Sequence, residues 1–196
     1  MGTTAPAAAM SAAVVIGGGA VNAPPHDPPD HDHDHHLVIT ADSGIDVALA
    51  AGFRPTHLVG DLDSVSPEGR AWAEANGVHV ETHPADKDAT DTALALMAAV
   101  RLGAERLHVY GNTGVGRLDH LLGTLAALGD PVLHELASIT AHLDDTTVHV
   151  LHPGHSVELA LPQGAVFSLL ALHGRCDGVE VSGARWPLAR TRLPAG

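Results

Sequence analysis

The stretch VGDLDSVSPEG, residues 59–69, places two carboxylates directly after a short apolar run. The run THLVG predicts a buried strand, and Ser66 followed by Pro67 predicts the first residues of a helix. Asp61 and Asp63 stand two positions apart, so in an extended segment both side chains point the same way. Two like charges facing one point predict a divalent cation held by oxygen ligands. A solvated turn with Asp63 as a cap is the alternative.

Strands and helices alternate on both sides of this stretch. Apolar runs typical of strands are AAVVI, HLVIT, VHVETHP and RLHVYG, and segments typical of helices are DSGIDVALAAG, SVSPEGRAWAEANG, DATDTALALMAAVRLG and RLDHLLGTLAALG. A glycine-rich turn follows the first of the strands. Strict alternation predicts right-handed crossovers and a mostly parallel sheet covered by helices.

The pattern changes after residue 136, where short alternating runs are divided by Pro-Gly, Gln-Gly, His-Gly and Ser-Gly turns. Such runs predict an antiparallel β domain. We therefore expect an α/β domain over residues 1–136 and an all-β domain over residues 137–196.

Residues 22–36 form a segment dominated by Pro, Asp and His, without a hydrophobic period. This composition predicts a flexible loop. Imidazole and carboxylate both ligate divalent ions, so the loop is either a metal-binding tract or a solvated surface insertion.

The composition excludes several classes of partner. The formal charge of the 196-residue chain is −13, it has ten basic residues, and Lys87 is the only lysine, which argues against nucleic acid because phosphate backbones need clustered Lys and Arg. No apolar run reaches the roughly 18 residues that cross a bilayer. The single cysteine, Cys176, rules out an internal disulfide and suits a reducing, cytoplasmic compartment.

Two further polar clusters stand at strand-to-helix junctions. ADKDATD places Lys87, Asp88 and Asp91 where a helix begins, a position that favours anions. GNTGVGRLDH adds glycines that permit close approach of a ligand, Arg117 to pair with a phosphate, and Asp119 as another carboxylate. Each cluster alone is explained as well by an acidic first turn or an ordinary loop, but the three junctions together predict a site for a metal and phosphates.

The motifs ADSG, GDLDS, DKDATDTALAL and GRLDH, in this order and at these intervals, closely resemble the thiamine pyrophosphokinase family. FSLLALHG and GARWPL resemble the second half of the same family. The resemblance implies an N-terminal α/β catalytic domain that binds nucleotide and metal. It also implies a C-terminal β-sandwich that binds thiamine and forms a homodimer with active sites between subunits.

The reaction implied by the resemblance is transfer of pyrophosphate from ATP to the thiamine hydroxyl, which yields thiamine diphosphate and AMP, with Mg²⁺ or Mn²⁺ as cofactor. The implied catalytic residues are Asp61, Asp63, Asp91 and Asp119. The same four acids and Asp88 are the implied metal ligands. The residues implied to bind ATP and its phosphates are Asp42, Ser43, Lys87, Thr90 and Arg117. Trp186 is the residue implied to stack on thiamine. The sequence does not decide which of the catalytic acids accepts the proton of the thiamine hydroxyl.

Two departures from the family pattern stand out. Val115 is an apparent insertion in the glycine-rich loop, and the family's last strands after GARWPL are missing, so we expect the β-sandwich to be incomplete at its C-terminus. Two alternatives therefore remain beside the main hypothesis: a pyrophosphokinase for another hydroxymethyl heterocycle such as a pterin, and a catalytically weak relative that binds metal or nucleotide.

Overall fold

The structure, a computed structural model, describes residues 12–18, 37–111 and 118–196. Its strands are β1 Ala12–Ile16, β2 Leu37–Ala41, β3 His57–Gly60, β4 His79–Thr82, β5 Arg106–Gly111, β6 Ser138–Leu143, β7 Thr146–Val150, β8 Cys176–Val181 and β9 Leu188–Leu193. Its helices are α1 Gly44–Ala50, α2 Pro67–Ala75, α3 Asp91–Arg101 and α4 Leu118–Ala127, with one 3₁₀ turn at Pro131–Leu133. The predicted flexible loop 22–36, Val115 and Arg117 lie outside the described residues.

Seven strands form one sheet in the order β4-β3-β2-β1-β5-β6-β7. Every neighbouring pair from β4 to β6 is parallel, and β7 pairs antiparallel with β6. The predicted mostly parallel sheet is therefore confirmed. The strand order runs outward from β1 in both directions, and ligands of open α/β sheets bind beyond the carboxyl ends of the strands at such a reversal.

Side chains of the central strand β1 alternate between the two faces of the sheet. Ala13 and Val15 are buried in the cluster that includes α3, whereas Val14 and Ile16 are buried on the opposite face with Ala48 of α1. Burial on both faces explains why the strand reads as a continuous apolar run. Each fully buried valine or isoleucine contributes roughly 1.5–3 kcal/mol to folding.

Capping side chains fix where the two helices nearest the acidic motifs begin. The Ser66 hydroxyl accepts a hydrogen bond from the amide of Gly69, and Pro67 is the first residue of α2, as predicted. The Thr90 hydroxyl accepts from the amide of Ala93 at 3.1 Å, which makes Asp91 the first residue of α3. Such a cap stabilises its helix by about 1 kcal/mol.

The chain divides into two compact units at residues 156 and 157, twenty residues after the boundary that the sequence predicted. The reason is strand pairing. Residues 138–150 have the short alternating runs of a β domain, but β6 pairs parallel with β5 along its whole length, and β7 follows as a hairpin on the same sheet. The assignment of separate roles to the two parts of the chain stays a prediction.

Residues 157–196 form the second unit, in which β8 and β9 pair antiparallel. The small antiparallel C-terminal sheet agrees with the predicted fold class. The runs at 156–164 and 165–174, predicted as strands, have no strand assignment. Val166 is 93% exposed and Leu170 is 66% exposed. An alternating run becomes a ladder only beside a partner strand, and the described residues of this unit provide none for these two runs.

Candidate active site

Two adjacent strands each end in an aspartate. Asp42 follows β2 and Asp61 follows β3, and these strands pair in parallel with Ala41 opposite Val59. The amide of Asp42 donates to the carbonyl of Val59 at 2.9 Å, which keeps the two strand ends in register. The carboxyl ends of parallel neighbours meet at one edge of the sheet, so the two acids lie side by side.

Asp91 joins them from a third element. It is the first residue of α3, which packs on β2 and β3. Carboxylate oxygens of Asp42, Asp61 and Asp91 all lie within 4.8 Å of one another. We call these three residues the acid triad. Among the described parts of the chain, this is the one group of three or more such side chains close enough to hold a metal ion.

Gly60 leaves the space that the acid triad occupies. Its φ is +149°, and a Cβ built on it would lie 3.1 Å from Oδ1 of Asp91 and 3.3 Å from Cβ of Asp42. A side chain at this position would crowd the Asp91 carboxylate and the Cβ of Asp42, and the positive φ would strain its backbone. The glycine of the GDLDS motif is therefore a steric requirement.

The turn after Gly60 holds the acids by a set of local contacts. Leu62 has a φ of +65°, which is unusual for a non-glycine residue, and its carbonyl accepts from the guanidinium of Arg70 on α2. The amide of Asp63 donates to Oδ1 of Asp61 at 3.3 Å. The Ser64 hydroxyl donates to Oδ2 of Asp42. The turn thus orients two members of the acid triad.

Lys87 supplies the positive charge of the site. Its Nζ lies 2.9 Å from Oδ1 of Asp91 and 3.3 Å from Oδ2 of Asp61, and its side chain is 14% exposed. Desolvation acts to lower the pKa of Lys87, but hydrogen bonds from its ammonium to Asp91 and Asp61, together with their charges, raise the pKa above its ordinary value. The lysine therefore stays protonated beside the acids.

The two acids of the turn differ in electrostatics. The hydrogen bond from the Asp63 amide, aided by Lys87, holds the pKa of Asp61 below its ordinary value. The negative charge of Asp61 raises the pKa of Asp63, and partial desolvation and the charges of Asp42 and Asp91 act in the same direction. A bound cation would relieve the repulsion that Asp63 experiences.

Other residues predicted for the site are not members of the acid triad. Asp88 and Asp119 are exposed and are not members of the acid triad, and Asp119 lies 3.9 Å from Nε2 of His120. The hydroxyl of Thr90 is engaged as the α3 cap. Trp186 belongs to the second unit, is 76% exposed, and has the guanidinium of Arg185 at 4.9 Å from its ring centroid.

The turn after β1 packs tightly against the start of α1. A Cβ on Gly18 would lie 2.4 Å from the hydroxyl oxygen of Ser43, and a Cβ on Gly44 would lie 2.2 Å from the carbonyl oxygen of Ile16. A Cβ on Gly17 would lie 3.5 Å from Oγ1 of Thr92 in α3. At Gly18 and Gly44, close to the end of β1 and the reversal point of the sheet, there is thus no room for a side chain.

The donor set fits a hard divalent cation. All three ligand groups of the acid triad are carboxylates, which Mg²⁺ and Mn²⁺ prefer over the nitrogen and sulfur ligands of softer metals. Oδ1 of Asp42 is buried and has no hydrogen-bond partner among the described residues, an arrangement that costs free energy unless a cation is bound there.

Sequence reasoning did not place Asp42 among the metal candidates, and it did not single out Ser64 or Gly60. Asp42 was predicted for the nucleotide side alone. One signal was present in the sequence: Asp42 and Asp61 each follow an apolar run directly, and consecutive parallel strands are often neighbours. The contact of Ser64 with Asp42 depends on the left-handed backbone at Leu62, which the sequence does not predict.

Comparisons with known proteins place the chain in a family. A family model described as "Thiamin pyrophosphokinase, catalytic domain" matches residues 32–140, which contain the acid triad and Lys87. The thiamine pyrophosphokinase of Bacillus subtilis is 34% identical over 114 residues, which cover 58% of this chain and 52% of that protein. Thiamine pyrophosphokinase 1 of Oryza sativa subsp. japonica is 26% identical over 155 residues, which cover 74% of this chain and 56% of that protein.

The fold has a solved counterpart. The crystal structure of thiamine pyrophosphokinase from Bacillus subtilis superposes with a TM-score of 0.73 at 24% identity, covering 95% of this chain and 86% of that one. The chain spans about half the length of the curated relatives it matches. Among the described residues, no helix has both the length and the apolar character needed to cross a membrane.

Proposed function

Because the chain belongs to the thiamin pyrophosphokinase catalytic-domain family, we propose that it transfers the pyrophosphoryl group of ATP to the hydroxyl of thiamine. The products are thiamine diphosphate and AMP. The observation that carries this proposal is the convergence of the acid triad and Lys87 at the carboxyl edge of the sheet. Carboxylates that collect a divalent cation beside a fixed ammonium suit a substrate with adjacent phosphates.

The metal in this proposal is Mg²⁺, with Mn²⁺ as a substitute, and the acid triad holds it. When bound, the ion neutralises charge on the phosphates that move and on those that leave. Asp63, which faces the same acids, is a further ligand in this proposal, and Asp88 and Asp119 complete the set that the family resemblance assigns. ATP in this proposal approaches the end of β1, at the reversal point of the sheet, where ligands of open α/β sheets bind.

The chain's own groups carry the remaining steps. Lys87 and Arg117 bind phosphate oxygens, with Asp42, Ser43 and Thr90 on the nucleotide side. The thiamine hydroxyl oxygen attacks the β-phosphorus, the bond between that phosphorus and the AMP oxygen breaks, and the hydroxyl proton passes to a carboxylate of the site. Asp61, Asp63, Asp91 and Asp119 are the open choices for that acceptor. Trp186 stacks on thiamine, since an indole face attracts a flat cation.

The working form in this proposal is a cytoplasmic homodimer, in which the second unit of one protomer contributes Trp186 to its partner's site. Neither a nucleic acid nor a membrane is needed as a partner. The high negative charge of the chain is consistent with ATP binding as a complex with its metal ion, and not through a basic surface.

Substrate-dependent release of AMP tests the proposal. Purified protein is supplied with ATP and Mg²⁺, and AMP is measured with thiamine, with a hydroxymethylpterin and with neither. We expect AMP in proportion to thiamine diphosphate in the first mixture alone. AMP formed with the pterin alone, or no AMP in any mixture, would count against the proposed substrate or the proposed activity.

A further inference from the structure

The two oxygens of the Asp42 carboxylate have different surroundings. Oδ2 accepts a hydrogen bond from the hydroxyl of Ser64. Oδ1 is buried, has no hydrogen-bond partner among the described residues, and belongs to the acid triad with oxygens of Asp61 and Asp91. One oxygen is therefore fixed by the protein, and the other is presented to the centre of the site.

The donor of that hydrogen bond is itself held in place. Ser64 follows the left-handed residue Leu62, whose carbonyl is bound by the guanidinium of Arg70. The intervening Asp63 donates its amide to Asp61. The turn is thus anchored to α2 on one side and to the acid triad on the other, so the serine hydroxyl meets Asp42 with little freedom.

We propose that Ser64 is a positioning residue that orients Asp42 for the divalent cation. This inference rests on the proposed function, because it takes the acid triad to be a metal site. A hydroxyl suits the role, since it donates one hydrogen bond to Oδ2 and adds no charge that would compete with the cation. Groups that hold a ligating carboxylate typically change metal affinity by 10–100-fold when they are removed.

Loss of the hydroxyl has a definite consequence. In Ser64→Ala the Asp42 carboxylate loses the Ser64 donor on Oδ2 and rotates more freely, so presenting Oδ1 to a cation costs conformational entropy. We expect the dissociation constant for Mn²⁺ to rise about tenfold. Ser64→Thr keeps the hydroxyl and should restore affinity to within about threefold of the wild type. The side chain is exposed, so thermal unfolding should change little.

Titration with Mn²⁺ alone, followed by the electron paramagnetic resonance of the free ion, measures this affinity without any turnover. Ser138→Ala is the matched control, because Ser138 is an exposed serine at the opposite end of a strand of the same sheet. We expect Ser138→Ala to bind Mn²⁺ like the wild type, Ser64→Thr to bind it within about threefold of the wild type, and Ser64→Ala to bind it about tenfold more weakly at an unchanged melting temperature.

A double-mutant cycle with Asp42→Asn distinguishes positioning of Asp42 by Ser64 from a general loss of Mn²⁺ affinity. If Ser64 acts through Asp42, Ser64→Ala should have no further effect on Mn²⁺ affinity in the Asp42→Asn background. A further tenfold loss in that background, or wild-type affinity in Ser64→Ala alone, overturns the inference and leaves the proposed function standing. Absence of saturable Mn²⁺ binding by the wild type overturns both.

Discussion

The two compact units use their apolar residues in opposite ways. In the first, the central strand β1 has every residue buried, between helices on both faces. In the second, residues 157–172 are also rich in apolar side chains, but Val166 and Leu170 face solvent and these residues form no strand. The difference indicates that an apolar run forms a strand only where neighbouring strands provide hydrogen bonds and packed elements bury its side chains. The acid triad also lies at an edge of the buried sheet.

The largest expected effect tests whether chemistry resides in the first unit. Asp91→Asn removes one ligand of the acid triad and one partner of Lys87, so turnover of thiamine should fall at least about 100-fold while the fold persists. Steady-state kinetics with circular dichroism on the same sample measure both. Asp145→Asn, an exposed acid of the hairpin between β6 and β7, is the control. Near-wild-type turnover in Asp91→Asn would show that the acid triad is not the catalytic centre.

The next effect concerns the nucleotide. Lys87→Met removes the ammonium that we propose to bind phosphate, so it should raise the KM for ATP about tenfold or more, with a smaller change for thiamine. The same residue can be probed chemically, because amine-selective acetylation of the unmodified chain reaches only Lys87 and the N-terminus. Saturating Mg-ATP should protect Lys87 from acetylation in a mass-spectrometric assay. Equal labelling with and without ATP would argue against its phosphate-binding role.

A matched pair of valines measures the structural contrast directly. Val15 is fully buried in β1 and Val166 is 93% exposed in the second unit. Val15→Ala should lower the free energy of unfolding by about 2 kcal/mol, because two methyl groups leave a packed core. Val166→Ala should change it by less than about 0.5 kcal/mol. Chemical denaturation of both variants provides the comparison. A comparable loss in Val166→Ala would mean that the 157–172 segment is buried in the working protein.

The contribution of the second unit to substrate binding should be smaller. Trp186→Ala should raise the KM for thiamine roughly fivefold, as expected for loss of a stacked cation, and leave the KM for ATP unchanged. Trp186→Phe retains an aromatic face and should lose less. If the Ala variant changes the two KM values equally, Trp186 acts on folding or assembly and not on thiamine.

The smallest effect is a pH dependence within the first unit. Desolvation, aided by His149, holds the pKa of His142 on β6 below its ordinary value of 6.5. As pH falls, His142 is therefore protonated in the unfolded chain before it is protonated in the folded one. Its contribution to the free energy of unfolding is fully present above about pH 6.5 and is lost as pH falls below that value. Thermal unfolding at about pH 7.5 and about pH 5.5 measures this loss of stability. The loss should be smaller in His142→Gln. The exposed residue His173 provides the control, and His173→Gln should leave the loss unchanged. An unaltered pH dependence in His142→Gln would assign the loss to other groups.

Local signals in the sequence were sufficient for much of the first unit. Alternating apolar runs and helix caps predicted the parallel sheet and the start of α2 at Pro67, because these features depend on residues close together in the chain. The pairing of β6 with β5 was not predictable in this way. Residues 138–150 alternate like a separate β domain, and their inclusion in the main sheet depends on contacts distant in sequence.

The candidate site shows the same division between local and distant information. The spacing of Asp61 and Asp63 indicated an acidic strand end, and the structure brings Asp61 and Asp91 together. Assignment of Asp42 to the same group required knowing which strands are neighbours. Sequence spacing alone also could not separate Asp91, at the first residue of α3, from Asp88, three residues earlier and exposed.

The central position of β1 has a consequence for how the chain is made. β1 is synthesised before the other described strands, yet one of its edges pairs with β5, in which Arg106 lies opposite Ala12. During translation that edge stays open until residues 106–111 have emerged, and it exposes valine and isoleucine side chains together with unpaired backbone groups. The first of the described strands to be translated is thus paired on both edges late. Conditions that slow translation before β5 should therefore favour aggregation of the nascent chain.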